Sequence, residues 1–113
     1  MVEEISTDEV EEKLDDDNVQ IVDIRNEHHF AAGHIPGAIN IPLHRLPREI
    51  PEYDWGEEIV VACPIGQSSI QAARLIGSYE GVTADARVAS MAGGYEEWSG
   101  DLERSESQEH SPF

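Results

Sequence analysis

Two short segments rich in apolar residues constrain the fold of this chain of 113 residues more than any other feature. Residues 19–24 are predicted as a strand whose apolar residues are crowded enough to be buried on both faces of a sheet, and residues 58–62 as a second strand. Helical patterns follow them over residues 26–33 and 68–79. Because strands alternate with helices, the sequence predicts an α/β fold with a mostly parallel central sheet of about five strands and helices on both faces.

The remaining elements fit one small domain that covers residues 1–100. Ser6 is a candidate helix cap, and Glu9 stands where it can complete a capping box. From residue 101 to residue 113 the sequence is polar and without periodicity, so a disordered acidic tail is expected. Short strands are predicted at residues 38–41 and 86–89, one helical turn at residues 44–48 and a closing helical turn at residues 95–98.

The only cysteine of the chain, Cys63, follows the strand at residues 58–62 and precedes the helix at residues 68–79. Parallel sheets bind ligands outside the carboxyl ends of their strands, which is where this thiol is expected. A helix N-terminus and a curled run of backbone N–H groups both favour an anion, so they favour the thiolate over the thiol. We therefore predict that Cys63 is a nucleophile near neutral pH, although a lone cysteine is otherwise most often a small buried apolar residue.

The charge of the chain is strongly negative, with 24 acidic residues, 7 basic residues and a formal net charge of -17. Nucleic acids and anionic membranes require a basic surface, so we expect neither as a partner. Two interpretations of the charge remain: an acidic surface for a basic partner, and a solvated surface adapted to a cytoplasm of very high salt. The spread of the acidic residues along the chain and the single lysine, Lys13, favour the second interpretation.

The cysteine content and the N-terminus indicate the compartment. A single cysteine excludes an internal disulfide and a zinc site built from several thiolates. The N-terminal residues are acidic and lack the basic start and apolar stretch of a signal peptide, and no apolar run has the length of a membrane span. The sequence therefore predicts a cytoplasmic protein in a reducing compartment.

Three separated motifs carry a family resemblance. The first combines residues 22–25 with residues 30–42, the second is the loop at residues 63–69 with its Cys-x-x-Gly pattern, and the third is residues 91–98, which end in Gly-Gly-aromatic-x-x-Trp. In this order they span nearly the whole chain before the expected tail. By these motifs the chain resembles a single-domain rhodanese, which has a sulfurtransferase fold.

The resemblance implies a reaction at Cys63. The thiolate takes a sulfane sulfur from a small donor, thiosulfate or a persulfide, holds it as a cysteine persulfide and passes it to a nucleophilic acceptor, with a sulfur-relay protein as a further partner. No metal and no organic cofactor are implied. The implied substrate-binding residues are those of the loop, namely Pro64, Ile65, Gly66, Gln67, Ser68 and Ser69. The backbone N–H groups of the loop, which Pro64 lacks, surround the anionic sulfur.

The loop departs from the family pattern at Ser68. Many active members carry Arg or another strong donor at this position, two residues after the loop glycine, Gly66. A serine donates one hydrogen bond and supplies no positive charge, which puts efficient use of the dianion thiosulfate in question and leaves persulfide chemistry open. The related phosphatases carry Arg six residues after the cysteine, where this chain has Ser69, so phosphoryl transfer is not expected.

Three further residues are candidates for a supporting role: Asp23, Arg25 and His29. For Asp23 and Arg25 the favoured alternative is a structural ion pair or hydrogen-bond anchor under the loop, and for His29 it is exposure to solvent. Two other functions stay open for the chain. One is a non-catalytic rhodanese-like module that binds a protein partner or regulates it, and the other is a redox-sensing thiol, which the absence of a resolving cysteine disfavours.

Overall fold

The computed structural model describes residues 2–104, and in that range the centre of the fold is a sheet of five parallel strands. The central strand, β4 (Glu58–Ala62), pairs on one side with β2 (Val19–Asp23) and on the other with β5 (Arg87–Met91). The predicted parallel sheet of an α/β fold is confirmed. In spatial order the strands are β1 (Glu3–Ile5), β5 (Arg87–Met91), β4 (Glu58–Ala62), β2 (Val19–Asp23) and β3 (Ile39–Asn40).

Within residues 2–104, four short α-helices and two 3₁₀ turns connect the strands, and a third 3₁₀ turn follows β5. The first two helices, α1 (Thr7–Glu12) and α2 (Glu27–Ala32), are capped by Ser6 and Asn26, whose side chains accept backbone N–H hydrogen bonds from the first turn. None of the helices in this range is long and apolar enough to cross a membrane. The other elements are α3 (Leu46–Glu49), α4 (Ser68–Gly77) and the 3₁₀ turns Leu43–Arg45, Ile50–Glu52 and Gly94–Glu97.

The side chains of β4 alternate between two apolar clusters, one on each face of the sheet. Ile59 and Val61 belong to a cluster that includes buried residues of α3 and α4. Val60 and Ala62 belong to a second cluster, with residues of α1 and α2. Burial on both sides explains why this strand is apolar at consecutive positions, and the expected helices on both faces are confirmed.

Several element bounds differ from those expected. β1 was not predicted as a strand, because only Ile5 of its three residues is buried and the other two are exposed glutamates. β5 ends at Met91 rather than at residue 89, because its pairing with β4 continues through Ser90, which lies opposite Val61. Residues 43–52 form two 3₁₀ turns on either side of α3 instead of one helical turn, and α4 ends at Gly77 instead of residue 79.

The segment after the closing turn remains attached to the domain. His34 and Glu103 exchange two backbone hydrogen bonds, with N···O distances of 2.9 and 2.8 Å. The indole N–H of Trp98 also donates to the carbonyl oxygen of Asp101. The chain therefore contacts the domain past the boundary expected at residue 100, and the rest of the expected tail, residues 105–113, lies outside the described residues.

Candidate active site

Cys63 is the first residue after β4 and lies at the carboxyl end of the sheet. Its side chain continues the alternation of the strand, so it packs in the same cluster as Val61, beside α4. Only 1% of the residue is exposed. The thiol therefore lies beneath the loop that joins β4 to α4.

Two backbone donors and one hydroxyl surround the sulfur of Cys63. The N–H groups of Gly66 and Ser69 donate to Sγ at N···S distances of 3.1 and 3.2 Å, and Ser69 Oγ lies 3.2 Å from it. The Ser69 N–H is available for this contact because the N–H groups in the first turn of a helix have no partner within the helix. The S–H group of Cys63 donates to Ser69 Oγ, and the two N–H groups, with the positive end of α4, are placed to stabilise negative charge on the sulfur.

The serine hydroxyl at the sulfur belongs to Ser69 rather than to Ser68. Ser69 is fully buried, whereas Ser68 is half-buried at the first position of α4. The hydroxyl oxygen of Ser69 also lies 2.6 Å from that of Ser90 on β5. Sequence reasoning missed Ser90, because it placed the end of this strand before that residue.

A tight turn at Gly93 and Gly94 presses against the loop after Cys63. The φ angles of these glycines are 80° and 61°, which residues with a side chain rarely adopt. A Cβ atom on Gly94 would overlap the carbonyl oxygen of Cys63, and one on Gly66 would lie 2.7 Å from the backbone nitrogen of Gly93. The N–H of Tyr95 donates to the same Cys63 carbonyl at 2.9 Å. The turn therefore holds the loop by backbone contact at distances that only glycine allows.

Asp23 and Arg25 form a buried ion pair that reaches this turn through Tyr95. Arg25 Nη2 lies 2.8 Å from Asp23 Oδ2, and the exposed fractions of the side chains are 12% and 0%. The Tyr95 hydroxyl donates to Asp23 Oδ2 at 2.7 Å and accepts the N–H of Ile35 at 3.0 Å. The guanidinium of Arg25 also stacks 3.6 Å from the centre of the Tyr95 ring. Because the backbone of Tyr95 holds the Cys63 carbonyl, the ion pair supports the loop from within the core.

The pKa values of Arg25 and Tyr95 are both raised. Burial alone would lower the pKa of Arg25, but its hydrogen bonds and its attraction to Asp23 outweigh burial. Burial raises the pKa of Tyr95, and the negative charge of Asp23 adds to the effect. Arg25 therefore stays charged and Tyr95 stays neutral at physiological pH.

The other residues expected at the site lie on its rim or outside it. Pro64, Ile65 and Gln67 are exposed on the loop, and 50% of Ile65 is accessible to solvent. His29 is exposed on α2, and its backbone N–H is bonded to the Asn26 cap. Within residues 2–104, no group of three or more His, Cys, Asp and Glu side chains is placed to hold a metal ion.

Comparison with known proteins gives clear relatives. Residues 6–101 match the family model described as Rhodanese-like domain. A protein of Allochromatium vinosum named Sulfurtransferase is 32% identical over 100 residues, which cover 88% of this chain and 90% of the relative. Thiosulfate sulfurtransferase GlpE of Stutzerimonas stutzeri is 38% identical over 92 residues, which cover 78% of this chain and 81% of that protein.

The fold has close counterparts among solved structures. The crystal structure of a rhodanese-like domain protein from Staphylococcus aureus matches with a TM-score of 0.75 at 29% identity, and the match covers 92% of this chain and 99% of that one. Some other relatives are longer proteins, and the chain spans 54% of one of them and 22% of another. The similarity therefore extends over nearly the whole described domain, with the Cys63 loop inside it.

Proposed function

The chain belongs to the rhodanese-like domain family, and from this premise we propose that it takes a sulfane sulfur onto Cys63 and passes it to a nucleophilic acceptor. The observation that carries the proposal is the convergence of two backbone N–H groups and one hydroxyl on a single sulfur atom. A cysteine that only fills space in a core is a small apolar residue and needs no such set of polar contacts. Donors aimed at one atom are what a thiolate nucleophile requires.

In the first half-reaction, the Cys63 thiolate attacks the outer sulfur of the donor. A new S–S bond forms at Sγ, the bond between the donor and that sulfur breaks, and the leaving group keeps the electron pair. It departs as sulfite from thiosulfate or as a thiolate from a persulfide. In the second half-reaction, a small nucleophile or a sulfur-relay protein attacks the terminal sulfur, and Cys63 leaves as the thiolate. In each half-reaction one bond to the transferred sulfur forms as another breaks, and the sulfur keeps its sulfane oxidation level, so neither step needs an external oxidant or reductant.

The loop favours a donor that carries little negative charge. Residues 63–69 contain neither Lys nor Arg, and the groups that contact Sγ are neutral. Arg25 is held by Asp23 in the ion pair. A dianion such as thiosulfate would leave water for a site without a compensating cation, which is unfavourable. We therefore propose that a persulfide is the better donor and that thiosulfate is used weakly.

The burial of Cys63 favours a second candidate, a non-catalytic module that binds a protein partner. With 1% of the residue exposed, a donor reaches the sulfur only when the loop moves. Alkylation by iodoacetamide separates the two candidates. A catalytic thiolate should be alkylated well below about pH 8.5, the pKa of free cysteine, whereas an inert buried thiol should stay unmodified in the folded protein.

We further propose that the protein works in a cytoplasm of very high salt. The acidic side chains of a protein with a net charge of -17 repel one another in dilute buffer. Salt weakens this repulsion, because the screening length falls from about 10 Å at 0.1 M to about 3 Å at 1 M ionic strength. Circular dichroism should show that the folded fraction rises between dilute buffer and molar salt. A protein that is fully folded and active in dilute buffer would contradict the high-salt interpretation.

Sulfur transfer is tested with a persulfide donor and cyanide as the acceptor, and thiocyanate is measured. We expect thiocyanate from the wild type and none above background from Cys63→Ser, because the serine oxygen is not a nucleophile of comparable strength at neutral pH. The thermal unfolding midpoint of the variant should match that of the wild type. Turnover by a folded Cys63→Ser variant would remove Cys63 from the mechanism.

A further inference from the structure

Two buried serine hydroxyls connect the sulfur of Cys63 to the neighbouring strand β5. Ser69 Oγ lies 3.2 Å from Cys63 Sγ and 2.6 Å from Ser90 Oγ, and both serines are fully buried. Among residues 2–104, the hydroxyl of Ser90 is hydrogen bonded to Ser69 alone. The three side chains therefore form a line, called here the hydroxyl line, that begins at Sγ and ends at Ser90.

The hydroxyl line can be hydrogen bonded in two directions. With a thiol, the S–H group donates to Ser69 and the Ser69 hydroxyl donates to Ser90, which leaves the hydrogen of Ser90 unused. With a thiolate, Ser90 donates to Ser69 and Ser69 donates to the sulfur, which uses both hydroxyl hydrogens. Because a buried donor without an acceptor is costly, the thiolate direction is the better satisfied of the two.

We propose that Ser90 is a positioning residue for the Cys63 thiolate and acts by orienting the hydroxyl of Ser69 towards the sulfur. The inference rests on the proposed function, since the thiolate is the species that attacks the donor. The proton of the thiol passes to a base in solvent, while each serine keeps its own hydrogen and only rotates its O–H bond. The same arrangement stabilises Cys63 when it leaves as a thiolate in the second half-reaction.

The charged groups around Cys63 do not duplicate the hydroxyl line. On β2 and just after it, Asp23 and Arg25 are paired with each other, and Arg74 on α4 is exposed. Arg87 lies at the opposite end of β5, where it pairs with Glu3.

On the closing turn, the side chain of Tyr95 is hydrogen bonded to Asp23, and the turn also carries two glutamates. None of these side chains is hydrogen bonded to Sγ within residues 2–104, so the neutral donors carry the effect.

The test is the rate at which iodoacetamide alkylates Cys63 as a function of pH in the wild type, Ser69→Ala, Ser90→Ala and the double variant. Alkylation reports the thiolate without any sulfur donor, so it remains informative even when the proposed transfer fails. We expect Ser90→Ala to move the midpoint of the profile upward and to lower the rate at about pH 7 by about threefold to tenfold. In the Ser69→Ala background, Ser90→Ala should have little further effect, because it acts through Ser69.

Two controls keep this test specific. Ser78→Ala removes an exposed hydroxyl just after α4 and should leave the pH profile of alkylation unchanged. Ser90→Thr should keep the wild-type midpoint of that profile because it retains the hydroxyl. Thermal unfolding of every variant identifies any loss of fold. If Ser90→Ala is unfolded, the pH profile of Ser69→Ala still tests whether the hydroxyl line stabilises the thiolate. An unchanged midpoint in folded Ser90→Ala, or additive effects in the double variant, would overturn the proposal. A wild type that forms no persulfide, with a midpoint that still responds to Ser90→Ala, would refute the transfer and leave the hydroxyl line in place.

Discussion

Two buried polar clusters lie at the carboxyl end of the sheet, one around Asp23 on β2 and one around Cys63 after β4, and they accommodate negative charge differently. The carboxylate of Asp23 has a permanent ionic partner, Arg25, at 2.8 Å and accepts a hydrogen bond from Tyr95. Among residues 2–104, the groups hydrogen bonded to the sulfur of Cys63 are all neutral. A fixed ion pair suits a permanent structural contact, whereas neutral groups that include a hydroxyl able to rotate suit a sulfur that gains and loses charge in the proposed transfer.

The two clusters meet at Tyr95. Its side chain belongs to the cluster around Asp23, called here the ionic cluster, and the cluster around Cys63 is called here the neutral cluster. The backbone N–H of Tyr95 donates to the carbonyl oxygen of Cys63. A substitution in the ionic cluster should therefore mainly lower the free energy of unfolding, and it should lower activity only through the position of the loop. Damage to the neutral cluster should change the reactivity of the sulfur while the fold persists.

The largest effect is expected from Asp23→Ala. This change leaves Arg25, whose side chain is only 12% exposed, without its partner and removes the acceptor of the Tyr95 hydroxyl. Removing one member of a buried ion pair costs about 3–5 kcal/mol, and urea denaturation should show this loss. Glu27→Ala breaks the surface pair with Arg45 and should cost less than about 1 kcal/mol. Equal losses in the two variants would show that the buried pair is no stronger as an anchor than a surface pair.

Gly94→Ala should have the next largest effect, because it damages the contact between the two clusters. The added Cβ would overlap the Cys63 carbonyl oxygen at a φ of 61°, so we expect a cost of about 2–4 kcal/mol and a strong loss of sulfur transfer. Gly37→Ala is the matched control, since its φ is 83° but an added Cβ would meet nothing within 4 Å. That variant should lose only about 1–2 kcal/mol through strain and keep its activity. A Gly94→Ala variant with normal transfer would contradict the account of the closing turn.

A smaller effect, dependent on pH, is expected from Tyr95→Phe. The change removes one hydrogen bond to Asp23 and leaves the N–H of Ile35 without its acceptor, at a cost of about 1–2 kcal/mol near neutral pH. Because the pKa of Tyr95 is raised in the folded protein, its contribution is complete below the unfolded pKa of about 10 and is lost as the pH rises above that value. Urea denaturation between about pH 9 and pH 11 should show a steeper loss in the wild type than in Tyr95→Phe. Parallel losses would show that Tyr95 does not titrate differently in the two states.

The smallest effect is expected from Ser68→Arg, which adds a cation to the neutral cluster. We expect kcat/KM for thiosulfate to rise by about threefold to tenfold, because a charge-assisted contact would offset part of the dianion's lost hydration. Ser78→Arg changes the net charge equally after the far end of α4 and should leave this value unchanged. Unchanged thiosulfate kinetics in Ser68→Arg, or an equal rise in both variants, would count against the account of the loop.

The architecture and the position of Cys63 could be predicted because both follow from local patterns. Consecutive apolar residues in β4 are buried on both faces, and the helix after the loop has its own periodicity. The parallel sheet then places Cys63 at the end where such sheets bind ligands. The expected boundaries were less accurate where polar residues are buried, as at Ser90 in β5.

The partners of Cys63 could not be predicted in the same way, because pairing of distant segments brings them together. Ser90 reaches Ser69 only because β5 lies beside β4, and Tyr95 reaches Asp23 across the core. The sequence suggested an ion pair or hydrogen-bond anchor at Asp23 and Arg25, but it gave no sign of a link from these residues to the closing turn. Local patterns thus specified where the site lies, and tertiary packing determines which groups contact the sulfur.

The claim that Cys63 carries a transferable sulfur is tested most directly by intact mass spectrometry in high salt. The protein is incubated with a persulfide donor and, separately, with thiosulfate. The account predicts the added mass of one sulfur atom, removable by cyanide or reductant, absent from Cys63→Ser and present in a larger fraction with the persulfide than with thiosulfate. No added sulfur from either donor, in a protein shown to be folded, would contradict it and favour the non-catalytic binding module.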